Sequence, residues 1–172
     1  LVQELHRHSF FFALFLEKGQ GEHHIDFTNY PVNDYSVFFM RPGQVHQLTL
    51  KQGSKGYLVQ FSQDFYAPKG APVNFVLRKV SNKNYCPLSV EKFGKLLSQL
   101  SLIDEEYSQK QDHYKEVIKA GLEILFIELA RQSREPKEIA NEGNIYSQNQ
   151  LEELLDLLQN HVDTHKQVIQ YA

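Results

Sequence analysis

Three histidines near the start of the chain have the types and spacing of a ligand or metal site. His6 and His8 are two residues apart, so in an extended strand their side chains face the same side. His46 follows the Pro42-Gly43 turn, which would aim its imidazole into the mouth of the same barrel. Because neutral imidazole is a common metal ligand, one hypothesis is a metal held by these three side chains. The other is a barrel mouth that holds an organic ligand or is filled by its own side chains.

Aromatic and polar residues extend this candidate site. A carboxylate four residues after His8 would strengthen the metal hypothesis, but the residue there is Phe12. Gln60 is polar within an apolar run, and a buried amide needs a partner, either the backbone or a ligand. Aromatic strands are more often plain core than pocket. The residues that we predict to bind an organic ligand are His6, His8, Phe10, Phe12, Met40, His46, Gln60 and Phe61.

No pattern in the chain indicates catalysis. There is no activated serine signature, and no glycine-rich loop opens a helix to hold phosphate. The single cysteine, Cys86, has no histidine near it in the sequence. We therefore predict no catalytic residue, no cofactor and no bound metal.

Short apolar runs separated by turns predict β structure for the first half of the chain. Residues 6–16 read as one extended segment, and the run 10–16 is apolar on both faces, so we expect both faces to be covered. Residues 28–34 read as a loop, and residues 74–80 as a further strand. His23 and His24 lie in the second strand, where alternation lets only one face inward; we interpret them as an exposed pair. Such short, evenly spaced strands are typical of an antiparallel barrel or sandwich.

After Cys86-Pro87 the apolar spacing changes to that of amphipathic helices. The first begins at a Ser89 N-cap, residues 105–111 form a polar connection, and the second helix runs over about 113–132. These helices pack on the barrel or pair with their copies in a second subunit. The predicted homodimer interface consists of Phe93, Leu96, Leu97, Leu100, Ile118, Leu122, Leu125 and Leu129.

The chain divides into three predicted parts. Residues 1–86 form the barrel, residues 87–134 the helical dimerisation region, and residues 135–172 a linker and a connecting helix. The connecting helix opens at the capping box of Ser147 and Gln150.

Composition and charge exclude several classes of protein. The content of hydrophobic residues, 41% of 172, is globular, and one cysteine permits no internal disulfide, which favours a reducing, cytoplasmic compartment. The longest apolar run, residues 10–16, is far too short to cross a bilayer. The net charge is −3, and residues 135–172 contain seven acidic residues and only two lysines. This chain therefore lacks the basic surface that DNA binding requires. Any DNA contact would need another part of the protein.

Two motifs give the chain a family resemblance. The pattern His6-x-His8, Gly19 and Pro42-Gly43-x-x-His46 resembles the two cupin motifs, with Phe12 in place of the cupin carboxylate. The segments EKGQGEHHIDF and FFMRPGQVHQL resemble the N-terminal sensing domain of AraC-type bacterial transcription regulators, and THKQVIQYA resembles the entry to their helix-turn-helix domain. The resemblance covers essentially the whole chain.

The resemblance implies a fold and a function. The fold is mainly β plus α: a cupin-like antiparallel β-barrel (double-stranded β-helix), then two packed amphipathic helices and a C-terminal connecting helix. The function is small-molecule sensing and homodimerisation, with DNA bound through a helix-turn-helix domain outside this chain. One alternative is a metal-dependent cupin enzyme, a dioxygenase or isomerase, that uses His6, His8 and His46. Another is a ligand-free interaction module with a solid barrel.

Overall fold

The computed structural model describes residues 2–66 and 71–132, which form eight strands and three helices. They belong to one compact unit, Leu1–Ser133, so the boundary predicted at residue 86 does not separate two packing units. The predicted linker and connecting helix lie outside the described residues. In chain order the elements are β1 (Val2–Arg7), β2 (Phe11–Lys18), β3 (Gly21–Ile25), β4 (Thr28–Val32), β5 (Ser36–Met40), β6 (Val45–Leu50), β7 (Lys55–Phe61), α1 (Ala71–Ser81), β8 (Tyr85–Pro87), α2 (Val90–Gln109) and α3 (Tyr114–Gln132).

The strands form two antiparallel sheets of four strands each. The first sheet has the strand order β1-β6-β3-β4, and the second has the order β7-β2-β5-β8. The chain crosses between the sheets after β1, β2, β4, β5 and β6, so most neighbouring strands are distant in sequence, whereas β3 and β4 are consecutive. The predicted antiparallel barrel or sandwich, followed by two amphipathic helices, is confirmed.

The second sheet is apolar on both faces. On β2, Phe12 and Leu14 belong to the core between the sheets, whereas Ala13 and Phe15 belong to the core under the helices. Strand β5 alternates in the same way, with Phe38 on the inner side and its five residues all buried. The predicted covering of both faces is confirmed, because α2 and α3 cover the outer face.

Individual residues determine where α2 begins and how closely α2 and α3 pack. Ser89 caps α2: its side-chain oxygen accepts a hydrogen bond from the backbone N–H of Lys92 at 3.3 Å. Gly121 lets α3 approach α2 closely, since a Cβ there would lie 2.9 Å from the side chain of Ile103. None of the described helices is long and apolar enough to span a membrane.

The residues predicted to form the homodimer interface lie inside the protomer. Seven of the eight are buried against the outer face of the second sheet or between α2 and α3, and Leu97 is half-buried. A side chain already packed within one chain is not available to a second chain, so that residue set is corrected. The exposed apolar residues of these helices include Leu102, Val117 and Ile124 instead.

Four predictions of secondary structure are also wrong. The extended segment 6–16 breaks between β1 and β2, where the chain crosses from one sheet to the other. The predicted loop 28–34 contains β4, an edge strand that tolerates Pro31 because its outer edge needs no N–H donor. The predicted strand 74–80 lies in α1. The predicted connection 105–111 is mostly helix, since α2 continues to Gln109 and ends at Lys110, whose φ is 50°.

Close strand pairing at Gly56 gives a test of this fold. A Cβ on Gly56 would lie 1.9 Å from the carbonyl oxygen of Phe15, so G56A must push β7 from β2 and should lower the free energy of unfolding by at least about 2 kcal/mol. G94A is the matched control, because a Cβ there meets nothing within 4 Å and alanine favours the helix by about 0.5–1 kcal/mol. Urea unfolding of both variants measures the difference. Equal stability of G56A and the wild type would contradict the pairing.

Candidate functional site

Four histidines form a continuous chain of contacts on the inner face of the first sheet. We call His6, His8, His23 and His46 the histidine cluster. Nε2 of His8 lies 3.0 Å from Nε2 of His6 and 3.0 Å from Nε2 of His46. Nε2 of His23 lies 2.8 Å from Nδ1 of His46. The contacts therefore run from the half-buried His6 and His8 to His46 and His23, which are fully buried.

Strand register brings the cluster together. β6 lies between β1 and β3, and His46 is opposite His6 on one side and opposite Ile25 on the other. His23 precedes Ile25 by two residues and so shares its inward face. The cluster packs on aromatic rings: Phe12 lies 5.1 Å from His46, and Phe10 stacks on His8 at 4.4 Å between ring centroids.

Hydrogen bonds around Asp26 hold the turn that delivers His46. The Asp26 carboxylate accepts hydrogen bonds from the backbone N–H of Val45 at 3.1 Å and from the side-chain amide of Gln44 at 2.7 Å. Asp26 also donates its own N–H to the carbonyl of Val45 at 2.7 Å. The backbone N–H of Gly43 donates to the carbonyl of His8 at 2.8 Å, which links the turn to the end of β1. The start of β6 is thus fixed on both sides.

Burial keeps the inner histidines neutral. It lowers the pKa of His23 to about 3, with His46 and His24 adding a smaller effect of the same sign. It also lowers the pKa of His46 to about 4, with His6 and His8 contributing. Burial and the neighbouring His6 lower the pKa of His8. The imidazoles of His8, His23 and His46 therefore favour the neutral form, in which each ring offers a lone pair.

Three members of the cluster could hold a metal ion. One ligand atom each from His6, His8 and His46 lie within 4.8 Å of one another. This group contains three imidazoles and no carboxylate, and Phe12 occupies the position at which the sequence pattern would have placed a carboxylate. Imidazole ligands suit zinc, copper, iron and nickel, whereas magnesium and calcium prefer oxygen.

The expected exposed pair of histidines is only half right. His24 is exposed, but His23 is 0% exposed and belongs to the cluster. The sequence carried the signal: in β3 the polar Glu22 and His24 alternate with His23 and Ile25, which places His23 on the apolar face.

A second concave site lies on the opposite side of the second sheet. A cleft of about 520 Å³, which we call the β7 cleft, separates β7 from α2 and α3. That volume falls within the range of small-molecule sites, roughly 300–1,000 Å³. Its walls are mostly apolar and aromatic, and its polar groups include Asp104 and Lys115. The apolar and aromatic lining residues include Tyr57, Val59, Phe61, Phe65, Leu100, Ile103, Tyr107, Tyr114 and Ile118.

The predicted ligand-binding residues are divided between these two places. His6, His8, Phe10, Phe12 and His46 meet in or beside the histidine cluster. Gln60 and Phe61 line the β7 cleft: Phe61 is on the outer face of the second sheet, and Gln60 is exposed because β7 is an edge strand. Met40 is buried in the core between the sheets. The structure therefore does not unite all eight residues in one barrel mouth.

The space between the sheets is filled by side chains. Phe12, Phe38 and Met40 are at most 1% exposed there, and five aliphatic residues complete the packing. A ligand in the centre of this barrel would have to displace them.

Comparison with protein families assigns the chain. The family model described as the AraC-like ligand binding domain matches residues 2–167. The chain belongs to this family. Its two antiparallel sheets are accordingly the cupin-like sandwich of AraC-like ligand-binding domains, and the helices follow the sandwich in the chain. No curated protein matches the chain significantly.

The buried neutral His23 predicts a pH dependence of stability in buffer with a chelator. The unfolded chain binds a proton at His23 below about pH 6.5, whereas the native chain does not until about pH 3. Stability should therefore fall as the pH drops from about 7.5 to 5, with His23 contributing up to about 1.4 kcal/mol per pH unit. Urea unfolding at several pH values measures this slope. The H23Q variant should show a shallower slope than the wild type, and H24Q, which is altered at an exposed site, should show the same slope as the wild type. Equal slopes for the wild type, H23Q and H24Q would refute the assignment of this pH dependence to His23.

Proposed function

We propose that this chain is the effector-sensing and dimerisation part of a bacterial AraC-type transcription regulator, and that its effector binds in the β7 cleft. The observation that supports this choice is the position of the cleft, between the barrel and the helices, in a family described by ligand binding. DNA would be bound by another part of the protein, and a DNA-binding role places the protein in the cytoplasm.

The two walls of the cleft suggest how binding would be transmitted. One wall is β7, which pairs with β2 in the second sheet, and the other is formed by α2 and α3. A ligand that touches both walls binds unequally to arrangements that differ in the position of the helices. It therefore shifts the population toward the arrangement it fits. That shift is the signal we propose is passed to the DNA-binding part.

The lining of the cleft indicates the class of effector. The apolar and aromatic walls fit an elongated apolar or aromatic body. Lys115 and the exposed Tyr107 offer a cation and a hydroxyl for an acidic or hydroxyl group on the ligand, while Asp104 accepts a hydrogen bond. An aromatic or aliphatic carboxylic acid satisfies the apolar walls and Lys115 together.

The fluorescent probe anilinonaphthalene sulfonate, an apolar ring system with one anionic group, tests the cleft. We expect the wild type to enhance its fluorescence and V59W, which fills the cleft, to weaken binding at least about tenfold. L102W places the same side chain at an exposed position of α2 outside the cleft and should bind like the wild type.

Y107A is a second test that does not depend on whether V59W folds. Tyr107 is exposed at the cleft, so its removal should weaken probe binding without unfolding the chain. F27A, also at an exposed aromatic, is its control. Carboxylic acids and other metabolites are then screened for displacement of the probe. Equal probe affinity of V59W, Y107A and the wild type would exclude the β7 cleft.

The proposed homodimer would use the exposed face of α3. Val117 and Ile124 are 50% and 52% exposed and seven residues apart, so they share one side of the helix. A pair of such helices could bury these side chains against each other. This replaces the predicted interface, whose side chains are occupied within the chain.

The double variant V117E/I124E tests that interface. Two carboxylates on each copy would meet like charges across the pair, so a wild-type dimer should become a monomer in analytical ultracentrifugation. The control V90E adds a carboxylate at an exposed apolar position on α2 and should remain dimeric. A dimeric double variant, or a monomeric wild type over the same concentrations, would contradict the proposal.

The enzyme alternative lacks a partner residue in the cluster. A metal-dependent cupin enzyme would use His6, His8 and His46, but the group they form contains no carboxylate to act as an acid, a base or a fourth ligand. The non-enzymatic sensor is the function that we propose, because the family match is to a ligand-binding domain.

A further inference from the structure

Two opposite charges line one end of the β7 cleft. Asp104 lies on α2, five residues before the last residue of that helix, and Lys115 is the second residue of α3. The two helices are joined by residues 110–113. Both side chains are exposed and belong to the lining of the cleft. The end of the cleft next to this connection therefore carries a carboxylate and an ammonium together.

The two charges do not neutralise each other. With a rise of about 1.5 Å per residue and helix axes about 8–10 Å apart, the Cα atoms of Asp104 and Lys115 are about 10–12 Å apart. Within residues 2–66 and 71–132, neither side chain forms an ion pair. The Lys115 ammonium instead lies 5.9 Å from the ring centroid of its neighbour Tyr114. Both charges are thus available to a ligand.

An apolar surface adjoins this charged end. The buried side chains of Leu100 and Leu122 form part of the cleft wall on the helices. Val59 and Phe61 line the cleft from β7. A ligand that fills the cleft therefore needs an apolar body, and its end near the helix connection meets both charges.

The pair of charges distinguishes between classes of ligand. A simple carboxylic acid pairs with Lys115 but brings a second negative charge toward Asp104. An amine pairs with Asp104 but brings a second positive charge toward Lys115. A charge that loses water without gaining a partner costs free energy, and like charges add repulsion. A site with two charged groups therefore discriminates against a ligand that satisfies only one of them.

The helix ends reinforce this polarity. Lys115 lies in the first turn of α3, where the helix dipole is positive and favours a carboxylate. Tyr107, which also lines the cleft, lies in the last turn of α2, where the dipole is negative and favours an ammonium. This end of the cleft thus favours an anionic group beside α3 and a cationic group beside α2.

We propose that the effector of the β7 cleft is an α-amino acid with an apolar side chain, whose carboxylate pairs with Lys115 and whose ammonium pairs with Asp104. Two charge-assisted hydrogen bonds of about 2.8 Å, one on each side of the ligand, bridge the gap between the helices. This inference rests on the proposed function of the cleft and narrows its ligand from carboxylic acids in general to zwitterionic ones. Asp104 and Lys115 are then the residues that determine specificity.

Displacement of anilinonaphthalene sulfonate by matched compounds tests the proposal. L-phenylalanine carries both charges, hydrocinnamate lacks the ammonium, and phenethylamine lacks the carboxylate. L-leucine, isocaproate and isoamylamine form the corresponding aliphatic series. In at least one series the wild type should bind the amino acid at least about tenfold more tightly than either analogue, since each analogue loses one charge-assisted contact. Affinities are compared as ratios within one variant, so that a change in probe affinity cancels.

The variants D104N and K115M separate the two contacts. D104N should abolish the preference for the amino acid over the acid analogue, and K115M should abolish the preference over the amine analogue. Both residues are exposed, so both variants should keep the fold. E105Q and K95M remove the same charges at exposed positions outside the cleft lining and should keep both preferences.

The possible outcomes separate this inference from the proposed function. Displacement by the acid analogues alone, or unchanged preferences in D104N, would overturn the amino-acid assignment and leave the β7 cleft as the effector site. The same holds if neither amino acid displaces the probe from the cleft up to about 10 mM. Equal probe affinity of V59W, Y107A and the wild type would instead exclude the cleft, and the amino-acid assignment with it.

Discussion

The ring of Phe126 on α3 joins the helices to the barrel. Its centroid lies 5.5 Å from Phe39 of β5, 5.6 Å from Phe61 of β7 and 5.5 Å from Tyr66. Phe39 and Phe61 lie on the outer face of the second sheet, whose inner face is equally apolar. A sheet that is apolar on both sides is stable in water only when both sides are covered. The helices are therefore part of the folding unit of the barrel, and a change in their position is also a change in the packing of β5 and β7.

Much of this architecture follows from local patterns in the sequence. The continuous apolar character of β2 and β5 indicates two covered faces, the Ser89 cap indicates the start of α2, and the spacing of Leu96, Leu100 and Ile103 indicates the stripe that packs inward. Those features depend on neighbours within a few residues. Their physical cause is therefore present in the sequence itself.

The errors arise where partners distant in sequence decide the outcome. The break between β1 and β2 is a crossing between sheets, which alternation does not reveal because both strands continue in phase. The stripes of α2 and α3 identify apolar faces but do not say whether the partner is the same chain or a second copy. The same limit applies to the site. The pattern brings His6, His8 and His46 together, but Phe61 lines the β7 cleft instead, because its side chain lies on the outer face of the second sheet.

The second sheet also connects the two candidate sites. On β2, Phe11 stacks on Phe61 beside the cleft at 5.1 Å, and the next residue, Phe12, lies 5.1 Å from His46 in the cluster. Close-packed rings transmit displacement because they leave little free volume to absorb it. A movement of β7 that follows ligand binding would thus reach the cluster through a single strand.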